Sequence, residues 1–303
     1  MRGMRQWLLI AAFASAAPAS AQPIDALQQD DALVQTIGWR LSHANARLCP
    51  RAAPGIGLLL GDVQTFEDPD TARGAYGLSG DIAVAAVAAG SPAAEAGLAA
   101  NMVVTAVAGE PVGPAPPRGS WDRVWRLQSR LEQAAATTGS ASLTLADGRV
   151  VTVPAAPSCA VRFIVDDRAD NAGATRVQIR VGREAIARLG HDEALVAALI
   201  AHELAHAALD HETELGTGKR PVQAVRRTER EADRLAVWLL ANAGYDPEAA
   251  VQMTQLLRPR GLFVMAAPSH GSTSARVRDI AAEIAALRAA PDANWALRFR
   301  REP

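Results

Sequence analysis

The chain has 303 residues, with 31 Lys plus Arg against 32 Asp plus Glu and a formal net charge of −1. At 49% hydrophobic and 21% charged residues it can bury a core, which excludes a disordered chain. The balanced charge offers neither a basic surface for nucleic acid nor an acidic tail.

The first residues read "MRGMRQWLLIAAFASAAPASAQP". Arg2 and Arg5 precede an apolar run from Trp7 to Ala14, and Ala19-Ser20-Ala21 forms a small-residue cleavage site. This predicts a signal peptide over 1–21, with the mature chain starting near Gln22. No cysteine stands at the cleavage point to carry a lipid, and no later segment is long and apolar enough to span a bilayer. The expected location is therefore periplasmic or secreted.

Asp31 to Ala46 carries apolar residues at Leu33, Ile37 and Leu41, which predicts an amphipathic helix. Cys49 and Cys159 are the two cysteines. An oxidising compartment and an even count favour a disulfide between them; two buried thiols are the alternative.

From 51 to 157 the texture changes. "GIGLLLG" and "DIAVAAVAAG" read as strands, with a polar, glycine-rich loop between them. "SPAAEAGL" reads as a short helix entered through Ser91 and Pro92, and "MVVTAVAGEPV" as a further strand. "SWDRVWRLQSRLEQAA" reads as a helix, and "ASLTLADGRVVTVP" as a hairpin turning on Asp147-Gly148.

From 158 to 303 the chain turns largely helical after two strands, "AVRFIVDD" and "TRVQIRVG". "DEALVAALIAHELAHAALDH" is a strong helix, "ETELGTGKRP" a loop, and three further helices follow. Residues four apart on a helix lie about 40° apart around its axis, so His202 and His206 share a face, and Glu203 sits beside them. Two histidines and a glutamate on so apolar a helix are costly to bury unless a metal or partners satisfy them. A catalytic zinc needs a third protein ligand, which "EREAD" can supply: Glu229 and Asp233 share a face there. His211, five residues past His206, is expected to point away as a surface histidine. Glu231 is expected to be a solvated charge.

The order of segments from "GIGL" through "VAAGSPAAEAGL" to "VVTAVAGEPV" resembles a bacterial PDZ domain. That resemblance implies a peptide-binding loop at Gly55, Ile56, Gly57 and Leu58. A PDZ fold with a closed groove, serving as a spacer, is the competing expectation. "HELAH" followed by "EREAD" and "PSHGSTSARV" resembles the M48 family of zinc metallopeptidases, a gluzincin-like group, over about 161–287. The resemblance implies an α+β fold: a mainly helical zincin-type domain with a small sheet at 158–303, an N-terminal helix at 22–50 packing on it, and the PDZ-like unit inserted between.

By the same resemblance, one zinc per chain is held by His202, His206 and Glu229, with Glu203 as general base and Asp233 orienting a ligand. Arg276 is implied as a structural partner and His270 as a residue of the catalytic loop, either an oxyanion donor or a gate. The strand Thr175–Val181 is expected to bind substrate by edge pairing. The implied function is an endopeptidase acting on unfolded or extended protein segments in envelope quality control, with envelope clients reached through the PDZ-like unit. The alternative is a PDZ-containing, chaperone-like scaffold with little or gated cleavage.

Overall fold

The computed structural model describes residues 23–218, 220–257, 272–291 and 293–299. The expected signal peptide lies outside the described residues. No described helix is long and apolar enough to cross a membrane.

The chain opens on helix α1, Pro23–Ala44, which starts eight residues before the expected Asp31. Val34, Ile37 and Leu41 are fully buried along one stripe of it. Gly38 lies against the ring of Phe163, where an added Cβ would collide, so only glycine lets the helix come this close. Two short strands follow as a neck: β1, Ala52–Gly55, runs antiparallel to β8, Ala156–Cys159, with Ala52 opposite Cys159. Cys49 and Cys159 form a disulfide across this neck, their Cα atoms 5.7 Å apart.

Everything between the neck strands builds one β-rich unit. Its elements are β2 (Leu58–Asp62), α2 (Pro69–Ala75), β3 (Ile82–Val87), α3 (Pro92–Glu95), β4 (Val104–Val107), β5 (Glu110–Pro111), α4 (Asp122–Thr138), β6 (Ser140–Leu145) and β7 (Val150–Pro154). Strands β2 and β3 pair antiparallel, and the second sheet runs β5-β4-β6-β7. The hairpin β6–β7 turns on Asp147-Gly148, with the Asp147 carboxylate accepting from Arg149 N–H. Ile82, Val84, Leu127, Leu131 and Leu143 fill a core of their own. Helix α2 replaces part of the expected loop: Asp68 caps it through the N–H groups of Asp70 and Thr71, and Pro69 stands at its first turn.

After the neck come β9 (Arg162–Asp166), β10 (Ala172–Ala174), β11 (Gln178–Gly182), α5 (Arg183–Arg188), α6 (Glu193–Ala208), α7 (His211–Leu215), α8 (Val222–Asn242), α9 (Glu248–Leu256), α10 (Thr273–Ala289) and α11 (Trp295–Arg298). The three strands lie in the order β10-β11-β9, with β11 parallel to β9 and antiparallel to β10. This corrects one expectation. Thr175–Val181 is not an edge: its strand residues, from Gln178 on, belong to β11, which is flanked on both sides. The edge strand beside α6 is β10. Helix α6 is apolar nearly all round, as a fully surrounded helix must be, and Val196 to Ala205 are buried without a break. The core around it includes Val34, Ile37 and Leu41 of α1, so α1 belongs to this second unit. The molecule is α+β, with two cores joined at the disulfide-closed neck.

Candidate metal centre

The centre is built where α6 crosses α8. His202 and His206 sit one turn apart on the face of α6 that meets α8, and Glu229 comes from the first half of α8. His202 Nε2 and His206 Nε2 are 3.2 Å apart, and the two Glu229 oxygens lie 3.6 Å and 3.5 Å from them. A tetrahedral ion with bonds of about 2.1 Å spaces its ligand atoms about 3.4 Å apart. Each imidazole thus has one Glu229 oxygen near that spacing, one donor atom from each of the three residues lies within 4.8 Å of the other two, and two imidazoles with a carboxylate are a donor set zinc accepts.

Each ring is also held from behind. Asp233, one turn beyond Glu229 on α8, lies with Oδ1 3.0 Å from His202 Nδ1, off the line of a straight hydrogen bond. Asp233 in turn accepts two hydrogen bonds from Arg276 of α10, at 2.7 and 2.6 Å. Burial works against ionising Asp233, but Arg276 and His202 overcome it and hold the carboxyl below the usual range. Burial opposes charge on His202 as well, yet Asp233 and Glu229 outweigh it and push its pKa up to about 10. Burial drives His206 the other way, to about 3, with the neighbouring His202 charge adding to it. Glu203 is buried beside His202, close enough for its charge to favour that of Arg276.

Two residues fall where the sequence reading did not put them. His211 is 1% exposed, not a surface histidine, and its Nδ1 lies 2.8 Å from His206 Nδ1. Its Nε2 lies 3.1 Å from Glu231, so Glu231 is half-buried and engaged, not a solvated charge. The error has a clear cause. A continuous helix would carry residue 211 about 140° away from 206. Instead α6 ends at Ala208, Asp210 takes a left-handed conformation at φ 55°, and α7 restarts at His211, folding it back beneath His206. The segment expected to be loop thus begins with a short helix. Asn and Asp are the usual non-glycine choices at such a position, and Asp210 is the sequence signal for the break. His270 lies outside the described residues.

The expected peptide loop of the β-rich unit is tied down by internal hydrogen bonds. Ile56 and Leu58 are buried, Gly57 has φ 71°, and an added Cβ there would collide with Ser91. Gly57 O and Ile56 O accept from Ala88 N–H and Ala93 N–H. Across the groove, Gln128 of α4 accepts from Leu60 N–H at 3.0 Å and donates to Leu58 O at 3.3 Å. Those are β2 groups facing away from β3, the ones an added strand would pair with. A cavity of about 460 Å³ remains beside the loop, lined by Gly55, Ile56, Gly57 and Leu58 themselves and walled by α4, Trp39 of α1 and the start of β9. Arg162 clamps α4 to β9 through Glu132, at 2.6 Å to each carboxylate oxygen, and through Ser129 Oγ at 2.8 Å. The chain matches no model of a known protein family and no curated protein sequence.

Proposed function

We propose that this chain is a zinc-dependent endopeptidase of the M48 type, acting on extended protein segments in the periplasm or outside the cell. The observation that carries the reading is the triangle of His202, His206 and Glu229, whose donor atoms lie close enough to share one ion, with Glu203 alongside and Asp233–Arg276 behind. When bound, zinc supplies a Lewis acid for the scissile carbonyl and a water that ionises near neutral pH. Glu203 takes the proton from the attacking water and passes it to the leaving amine. Asp233, kept ionised by Arg276, orients His202 so that its Nε2 faces the ion. Substrate aligns along β10, the edge strand beside α6, which suits an extended backbone. The disulfide and the N-terminal segment support an oxidising compartment.

The β-rich unit is read as a PDZ-like module in a closed state. A client-binding scaffold with little cleavage would need an accessible β2 edge, and Gln128 occupies that edge. The module therefore serves here as a rigid spacer.

Metal analysis and casein digestion of the purified mature chain and of Glu203→Gln test the function. About one zinc per chain in both, with cleavage by the wild type alone, is the expected result. Cleavage that survives complete zinc removal would falsify the reading, and zinc lost from Glu203→Gln would overturn the role given to Glu203.

A further inference from the structure

We infer that His211, oriented by Glu231, is a positioning residue that fixes His206 as an Nε2 ligand. The inference rests on the zinc reading but concerns residues that neither hold the ion nor touch substrate. The argument is one of proton placement. His206 turns Nε2 toward His202 and Glu229, so a cation there requires a lone pair on Nε2 and puts the ring proton on Nδ1. That proton meets His211 Nδ1 at 2.8 Å, and two nitrogens so close need one proton between them. His211 Nδ1 is therefore the acceptor and its own proton sits on Nε2. Nε2–H then faces the Glu231 carboxylate at 3.1 Å, which accepts it. Only one arrangement of protons satisfies all three groups.

The surroundings reinforce the arrangement. His211 is buried, so water does not compete for either nitrogen. The Arg227 guanidinium lies 3.9 Å from the other Glu231 oxygen and also pairs with Glu214, which keeps the Glu231 carboxylate facing the histidine. The two ligand rings are thus held by different means. His202 is backed by a carboxylate tied to Arg276, and His206 by an imidazole tied to a carboxylate. The sharp chain reversal at Asp210 brings the relay about, which accounts for a non-glycine residue in a left-handed conformation directly before His211.

Zinc and cobalt titrations against a chromophoric chelator test this on the wild type, His211→Leu, His211→Gln and Glu231→Leu. Leucine fills the site without accepting a proton. Glutamine offers an acceptor and a donor spaced much like the two ring nitrogens. His211→Leu should bind zinc 10–100-fold more weakly, the usual loss when a ligand's outer partner is removed, and its cobalt spectrum should change. His211→Gln should recover most of the affinity, and Glu231→Leu should show a smaller loss than His211→Leu. Wild-type affinity and spectrum in His211→Leu would overturn the inference. So would a glutamine variant as weak as the leucine one, because packing alone would then explain the site. If His211→Leu gives no cooperative thermal transition, Glu231→Leu decides: weakened metal supports the relay, and unchanged metal rejects it. A wild type that binds no zinc would instead strike the proposed function itself.

Discussion

The α6–α8 crossing and the capped strand edges both bury polar side chains among apolar neighbours, yet they resolve the cost in opposite ways. At the edges the protein completes the donor–acceptor accounting itself. Gln128 pairs with Leu60 N–H and Leu58 O on β2. On β9, Gln35 of α1 donates to Phe163 O and Asp31 accepts from Val165 N–H. At the crossing, two imidazole nitrogens and a carboxylate converge on one point, and the partners behind them only fix their aim. Buried polar groups paired one to one make a staple; buried polar groups aimed at a common point make a site for an ion. That contrast separates a candidate catalytic centre from a candidate binding groove in the same chain.

The largest effect should come from removing a converging donor. Glu229→Ala is expected to abolish stoichiometric zinc while leaving the β-rich unit folded, checked by metal analysis together with circular dichroism. Retention of a full zinc equivalent would break the contrast at its stronger end. Next is the neck. The disulfide closes a sequence separation of 110 residues, and the chain-entropy model allows about 4–5 kcal/mol for such a loop, an upper-end figure. Cys49→Ala with Cys159→Ala should lower the denaturation midpoint accordingly. No change in urea denaturation would mean that Arg162–Glu132 and the α1 contacts already hold the two units.

A smaller effect is expected at the staple itself. Gln128→Leu leaves Leu60 N–H and Leu58 O without their partner, a cost of about 1–3 kcal/mol. It should also free the β2 edge, so that a short apolar peptide with a free carboxyl terminus binds detectably by fluorescence anisotropy where the wild type does not. Peptide binding of equal strength in both would show that the groove is open despite Gln128.

The effect most bound to its conditions is one of pH at β9. Burial, with Asp30 beside it, pushes Asp31 up from 3.8 to about 7. Its folded value lies above its unfolded one, so folding favours the protonated form. That stabilisation is full below about pH 4 and lost as pH rises to about 7. Asp31→Asn should therefore gain in melting temperature relative to wild type across that window and hold a constant gap above it. A gap independent of pH would remove Asp31 from the stapling set.

Much of the plan was legible without coordinates, because it rests on local rules. The 3.6-residue period placed His202 and His206 on one face, put Asp233 one turn from Glu229, and marked α4, α6 and α8; Asp147-Gly148 marked the hairpin. Capping chemistry is local too: Asp68-Pro69 is enough to start α2 within a polar, glycine-rich stretch. What the sequence could not decide is everything set by pairing across distance. The edge of the sheet passed from Thr175–Val181 to β10, because strand order follows from which faces must be buried rather than from any one segment's pattern. His211 reached His206, and Glu231 of α8, through one left-handed residue, which breaks the helical periodicity along α6. Whether Gln128 points into solvent or closes a groove, and whether Cys49 meets Cys159, were likewise tertiary outcomes. Chemistry at i and i+4 is local and can be read along the chain, whereas the pairing of buried polar groups is fixed only when two units pack and water is excluded between them.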